Sequence, residues 1–128
     1  MIVVDTSALI SILFREPGHE VLEARLVSEE KILLTAANWF ESAMVASRLG
    51  PRGKVLLDEF FAMIRIVIIP IDQELAEIAL GAFIKFGRGR HSAALNFGDC
   101  FSYALAKQRN LPLLYVGQDF SKTDVKTS

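Results

Sequence analysis

The stretch that decides the fold is MIVVDTSALI, residues 1–10, in which a short run of β-branched residues ends at an acid. Ile2–Val4 is apolar throughout, which is typical of a strand buried on both faces. The same pattern recurs at Ile32–Leu34, Ile66–Ile69 and Leu113–Val116. Short apolar strands separated by helical segments predict a parallel sheet that helices cover on both faces.

The segments between these strands have helical apolar spacing, helix caps or both. The predicted helices are Ser7–Phe14, His19–Glu29, a helix capped by Thr35 that runs to Leu49, Lys54–Ile64, a helix capped by Asp72 that runs to Phe86, and one from Asn96 or Gly98 to Arg109. Gly87–His91 is predicted to be a loop, and Val125 is assigned to a fifth strand.

The composition favours one folded domain spanning residues 1–128, because 52% of the 128 residues are hydrophobic. A net charge of −1 gives no overall basic field, so a nucleic-acid enzyme of this composition needs a local basic patch. The single cysteine, Cys100, excludes an intrachain disulfide. Without a membrane-spanning run or a basic signal-peptide region, we expect a cytoplasmic protein.

Four carboxylates stand at strand ends and in helices: Asp5, Glu41, Asp99 and Asp119. Ligands of open α/β sheets bind beyond the carboxyl ends of the strands, so we expect these acids to share one cleft. Converging carboxylates repel one another unless a cation lies between them, and oxygen ligands suit Mg²⁺ or Mn²⁺. This pattern indicates a metal-dependent phosphodiesterase or nuclease. In the metal-free protein, like-charge proximity predicts raised carboxylate pKa values.

Each acid also has a simpler structural interpretation. Asp5 can be explained as a helix cap, and Asp99 can be explained as an ordinary acid in the first turn of a helix. Glu41 has the alternative of a solvated helix residue, although its apolar neighbours argue against that position. Asp119 has the alternative of a turn residue, and the same ambiguity applies to Asp58 and Asp124.

The segment KFGRGRH, residues 85–91, is a local concentration of positive charge just before Asp99. Arg88 and Arg90 are therefore candidate contacts for RNA phosphates. The alternative is an ordinary solvated loop, since charged loop residues usually lie at the surface.

Four motifs together resemble a known family: DTSAL (5–9), ANWFESAMV (37–45), HSAALNFGDCFSYALAK (91–107) and PLLYVGQDFSKTDV (112–125). Their order is similar to that of PIN domains and, more narrowly, of VapC-type toxins of bacterial toxin–antitoxin pairs. The resemblance implies a three-layer α/β/α sandwich with a mainly parallel sheet. It also implies a Mg²⁺- or Mn²⁺-dependent endoribonuclease, a homodimer and a cognate antitoxin partner.

The resemblance also assigns roles to individual residues. Asp5, Glu41, Asp99 and Asp119 match the family's acidic quartet, and Asp5 and Asp99 match the positions usually assigned as metal ligands. Thr6 or Ser7 corresponds to the hydroxyl position that supports the first acid. The reaction expected of the family leaves a 5′-phosphate and a 3′-hydroxyl.

Other classes of protein share parts of this pattern. An aspartate-dependent phosphotransferase usually has a D-x-D motif after the first strand, but Ser7 stands at the second position. A phospho-acceptor receiver domain needs a lysine after a late strand, where this chain has Gly117–Asp119. A non-catalytic interaction module is the remaining alternative, and it predicts neither metal affinity nor RNA cleavage.

Overall fold

A four-stranded parallel sheet forms the centre of the computed structural model, which describes residues 1–128. The strands are Ile2–Val4 (β1), Ile32–Thr35 (β2), Ile66–Ile69 (β3) and Leu113–Leu114 (β4). Their order is β3-β2-β1-β4, and each neighbouring pair is parallel. The carboxyl ends of all the strands therefore lie at the same edge of the sheet.

Helices cover both faces of this sheet, as the apolar strands predict. They are Thr6–Leu13 (α1), His19–Val27 (α2), Ala36–Ala46 (α3), Pro51–Met63 (α4), Gln73–Phe86 (α5) and Phe97–Arg109 (α6). Successive side chains of a strand point to opposite faces. Accordingly, Val3 packs in a core with α5 and α6, whereas Ile2 and Val4 pack in a second core with α1, α2 and α4. This arrangement confirms the three-layer sandwich.

Some predicted bounds differ from the observed ones. The fourth strand stops at Leu114, and the predicted fifth strand is only an isolated bridge between Leu113 and Thr127. The third helix ends at Ala46 and continues as a 3₁₀ turn, and α4 starts earlier than predicted, at Pro51. Proline is favoured at the first helical position because its missing N–H has no partner to lose there.

The helices are not uniformly apolar. On α5, for example, Leu75 and Ala79 are buried, whereas Glu74 and Glu77 are exposed. No helix combines the length and the hydropathy needed to cross a bilayer.

Candidate active site

Asp5 lies at the junction of β1 and α1 and is almost completely buried, with 2% of its surface exposed. Its Oδ2 accepts a hydrogen bond from the Ser7 N–H at 3.0 Å, which makes Asp5 the cap of α1. Its Oδ1 accepts a hydrogen bond from the Ser102 hydroxyl on α6. The acid therefore caps a helix and also faces α6.

Glu41 lies on α3 against the first turn of α6 and is half-buried. A Cβ on Gly98 would meet both Glu41 carboxylate oxygens at 2.5 Å. The Asn38 side chain also donates to Glu41 Oε1 at 3.4 Å. The apolar neighbours of Glu41 do not enforce this orientation, because Phe40 and Met44 are more than half exposed.

Asp99 lies in the first turn of α6, where it forms a capping box with Asn96. The Asn96 N–H donates to Asp99 Oδ2 at 3.1 Å, and the Asp99 N–H donates to Asn96 Oδ1 at 2.9 Å. Burial is the main cause that raises the pKa of Asp99 to about 7. Negative charge on the other three acids contributes further to this rise: Asp5, Asp119 and Glu41. The pKa of Asp99 is thus raised as predicted, but burial contributes more to the rise than the predicted like-charge proximity does.

Asp119 is exposed and begins a short 3₁₀ turn, Phe120–Lys122, after the last strand. The buried Phe120 side chain anchors this turn in the core. The preceding loop is fixed to α1 because the Val116 N–H donates to the Ser7 hydroxyl at 3.0 Å. All four predicted acids thus lie around the carboxyl edge of the sheet, at β1, α3, α6 and the loop after β4.

The hydroxyls of Thr6 and Ser7 form hydrogen bonds with groups other than Asp5 in this structure, and the supporting role expected of one of them stays a prediction. Thr6 Oγ1 donates to the Asn38 carbonyl at 3.3 Å, and the Ser7 hydroxyl accepts from Val116. Ser7 supports Asp5 through its backbone N–H, and the hydroxyl that reaches Asp5 belongs to Ser102.

The chemistry of these side chains fits a divalent cation. All four are carboxylates, whose oxygens are preferred by Mg²⁺ and Mn²⁺. The raised pKa of Asp99 is the electrostatic consequence of burying an acid among like charges, and a cation would relieve it. In this conformation no three acidic, histidine or cysteine side chains are close enough to form a complete coordination group. The acids are thus close enough to act on the pKa of Asp99, but they do not form a metal-ligand group in this structure.

The predicted basic loop is exposed and leads directly into α6. The Arg88 N–H donates to the Leu95 carbonyl at 3.0 Å, which closes the loop at its base. The Arg90 guanidinium lies over the Phe83 ring, 5.3 Å from its centroid. Arg88 and Arg90 are thus both exposed at the segment that precedes Asp99.

The structure gives Asp58, Asp124 and Cys100 structural roles away from the four acids. Asp58 forms an exposed salt bridge with Lys54 one turn away on α4, at 2.7 Å. Asp124 accepts hydrogen bonds from the Tyr103 hydroxyl and from Lys107. Cys100 is buried, and this burial raises the pKa of its thiol to about 11, which disfavours the nucleophilic thiolate.

Sequence reasoning missed three residues that shape the cleft: Asn38, Gly98 and Ser102. Gly98 was recognised only as a candidate helix start, and the other two were not singled out. The available signal was polarity at buried helical spacing, because Asn38 lies three residues before Glu41 and Ser102 three residues after Asp99.

Comparison with known families agrees with this geometry. The family model described as "PIN domain" matches residues 2–126, which is nearly the whole chain. The chain therefore belongs to the PIN-domain family.

Individual relatives narrow this relationship. "Ribonuclease VapC" of Mycolicibacterium smegmatis is 42% identical over 124 residues, which cover 96% of each chain. The crystal structure of VapC20 of Mycobacterium tuberculosis, a sarcin–ricin loop-cleaving toxin, has a TM-score of 0.80 at 17% identity and covers 100% of this chain and 98% of that chain. A toxin–antitoxin complex from Klebsiella pneumoniae has a TM-score of 0.73 at 21% identity, over 100% of this chain and 97% of that chain. Within the PIN-domain family, the similarity is thus to VapC ribonucleases.

Proposed function

We propose that this chain is the endoribonuclease toxin of a toxin–antitoxin pair and that it hydrolyses RNA phosphodiester bonds with Mg²⁺ or Mn²⁺ as its cofactor. The observation that carries the proposal is the convergence of Asp5, Glu41, Asp99 and Asp119 at one edge of the sheet in a chain so similar to VapC ribonucleases. The activity belongs in the cytoplasm, where a lone cysteine remains reduced.

The acids have different roles in the proposed reaction. Asp5 and Asp99 would hold a divalent cation, which supplies the charge that acidifies a water molecule and offsets charge developing on the phosphate. Asp5 is already fixed by Ser7 and Ser102, so one ligand is preorganised. Glu41, held against α6, orients the attacking water. Cleavage then leaves a 5′-phosphate and a 3′-hydroxyl, as expected for the family.

The direct test is RNA cleavage by the purified protein with Mn²⁺, with Mg²⁺ and with EDTA. We expect cleavage with either cation and none with the chelator, because no nucleophile–base pair replaces the metal. Undiminished cleavage in EDTA would reject the metal-dependent mechanism. A folded protein that cleaves no RNA under any of these conditions would reject the ribonuclease function itself.

An antitoxin segment has a candidate docking groove on the opposite face of the sheet from α5. A cavity of about 440 Å³ lies between α1, α2 and α4, and its lining includes Leu13, His19, Leu56 and Met63. Helix α3 does not line this cavity. His19 Nδ1 is buried there without a hydrogen-bond partner in the isolated chain. We assign the groove to an amphipathic segment that places apolar anchors in it and offers a polar group to His19.

Growth and binding measurements test the assignment to a toxin–antitoxin pair. Expression of the chain alone should arrest bacterial growth, and the product of a neighbouring reading frame should bind it and relieve the arrest. Leu56→Glu should weaken that complex while leaving RNA cleavage intact. A complex that retains full ribonuclease activity and does not restore growth would reject the toxin–antitoxin role and leave the nuclease standing.

We also propose that the chain forms a homodimer through an exposed apolar patch. The patch consists of Leu80, Phe83 and Ile84 on α5 and Phe97 on α6. These side chains surround or adjoin a cavity of about 390 Å³ whose lining is entirely apolar. An apolar patch can meet its own copy across a two-fold axis, so it suits a second copy of this chain. Sedimentation should show a dimer that Leu80→Glu dissociates. Val21→Glu, the same kind of change at an even more exposed residue of α2, should leave the dimer intact.

A further inference from the structure

Asn38 is a fully buried polar side chain that has no part in the function described above. It lies on α3 one turn before Glu41, with 0% of its surface exposed. Its side-chain nitrogen reaches acceptors on three segments of the chain: the Gly98 carbonyl at 3.0 Å, Thr6 Oγ1 at 3.4 Å and Glu41 Oε1 at 3.4 Å. Burying an amide is costly unless it is hydrogen-bonded, so this set of contacts fixes the side chain.

The orientation of the Asn38 amide follows from its partners. The Gly98 oxygen is a carbonyl and only accepts, so the amide nitrogen has to face it. The amide oxygen then faces the Thr35 hydroxyl, which donates to it at 2.5 Å. The Ser42 hydroxyl donates to the backbone carbonyl of Asn38 at 2.8 Å, a bond within α3 that does not involve the side-chain amide. One orientation therefore satisfies both ends of the side chain.

We propose that Asn38 is a positioning residue that ties Glu41 on α3 to the first turn of α6 and thereby sets the placement of Glu41 relative to Asp99. The amide spans the gap between the two helices, with Gly98 directly before Asp99 in the chain. Gly98 permits the close approach, and Asn38 supplies the attraction that maintains it. A displacement of about 1 Å in such a group is enough to slow a reaction by two orders of magnitude.

No other residue of similar size makes the same set of contacts. Leucine has the volume but no donor. Aspartate keeps the bond from Thr35 but would place a carboxylate oxygen against the Gly98 carbonyl and beside the negative Glu41. The requirement is therefore for an amide rather than for bulk.

The experiment compares Asn38→Ala with Ser42→Ala in the full-length protein, with Mn²⁺ and a defined RNA. Ser42 is the matched control because it is equally buried on the same helix and bonds only to the helix backbone. We expect Asn38→Ala to lower kcat by about tenfold or more with little change in KM. Ser42→Ala should change neither value beyond about twofold. If Asn38→Ala does not fold, Asn38→Asp provides the same comparison.

A double-mutant cycle with Glu41→Gln distinguishes positioning from general stability. If Asn38 acts through Glu41, Asn38→Ala should cost little further kcat in the Glu41→Gln background. Independent losses that simply add, or a loss no greater than that of Ser42→Ala, would overturn the proposal.

Amide exchange provides a readout that does not depend on cleavage. The Asp99 and Cys100 amides in the first turn of α6 should exchange faster in Asn38→Ala and not in Ser42→Ala. Equal exchange in the two variants would also overturn the proposal. The kinetic comparison rests on the proposed ribonuclease function, and the wild-type protein tests that function separately. If the wild-type protein cleaves no RNA, the ribonuclease function is rejected. The amide-exchange comparison then decides the role of Asn38 by itself.

Discussion

The Glu41 carboxylate lies so close to the backbone of Gly98 that the smallest side chain there would meet both of its oxygens at 2.5 Å. Gly98→Ala should therefore displace Glu41 and lower kcat by up to about a hundredfold while the protein stays folded. Gly81→Ala is the control, because nothing lies within 4 Å of the added methyl group on α5. That change should stabilise the protein by about 0.5–1 kcal/mol without affecting cleavage. Equal activity of the two variants in a ribonuclease assay would contradict the close approach.

Ser102 holds the buried Asp5 from the side opposite the helix cap. Ser102→Ala removes a hydrogen bond to a buried carboxylate, so the free energy of unfolding should fall by about 1–3 kcal/mol. Because Asp5 then loses its fixed orientation, kcat should fall as well. Urea unfolding and single-turnover cleavage measure the two effects. A variant with wild-type kcat would show that Ser102 contributes to stability alone.

The stability of the metal-free protein should depend on pH through Asp99. Its pKa is about 7 in the folded protein against an ordinary value of 3.8. Between these values the folded protein keeps a proton that the unfolded chain has released, so the free energy of unfolding falls as pH rises from about 4 to about 7. Thermal unfolding in EDTA should show this fall. In Asp99→Asn, the part of the pH dependence that comes from Asp99 should be absent. Mn²⁺ should restore stability above that range. Identical pH profiles for the two proteins would disprove the assignment.

Replacing single acids by their neutral amides should show which acids the reaction needs. Asp5→Asn, Glu41→Gln and Asp99→Asn should each lower kcat by at least about a hundredfold, since charge stabilisation by a bound cation amounts to several kcal/mol. Asp119→Asn should be milder because Asp119 is exposed, and there an amide oxygen still coordinates or accepts a hydrogen bond. Asp58→Asn is the control, as Asp58 pairs with Lys54 on the surface of α4. Comparable losses at Asp58 and Asp99 in folded proteins would place the site elsewhere.

The basic loop should contribute to RNA binding rather than to chemistry. Arg88→Ala should raise KM and leave kcat nearly unchanged, because Arg88 is exposed before α6 and bonds only through its backbone. If it contacts a phosphate, the salt dependence of binding should also weaken, by roughly 0.7 in the logarithmic slope for single-stranded RNA. Lys54→Ala is the control, because it removes the same charge from α4 and should change neither KM nor the salt dependence of binding. A salt slope unchanged by Arg88→Ala would mean that the loop is only solvated.

Patterns local in sequence predicted much of this fold. The apolar runs located β1 and β2 because a strand buried on both faces needs apolar residues throughout. A similar run located β3, although this strand lies at the edge of the sheet and exposes Val67 and Ile68. The acids that follow such strands were expected at the carboxyl edge of the sheet. The contacts that shape the site were not predictable in this way. Ser102 and Asp5 are 97 positions apart, and Asn38 and Gly98 are 60 apart. A serine or an asparagine on a helix has no local feature that reveals which distant group it meets. The fourth strand was overestimated for a similar reason, since its length depends on its pairing with β1.

The position of β1 inside the sheet also affects when the acidic site can form during folding. The Asp5 N–H bonds to the Leu114 carbonyl at 2.9 Å, which pairs two residues 109 positions apart in the chain. A partly synthesised chain has Asp5 and Glu41 but lacks Asp99, Ser102 and the strand that closes the sheet beside β1. Pairing of such distant segments is slow and comes late in folding. The acidic site can therefore form only after β4 has been made and has paired with β1, so its assembly waits for almost the whole of the sheet.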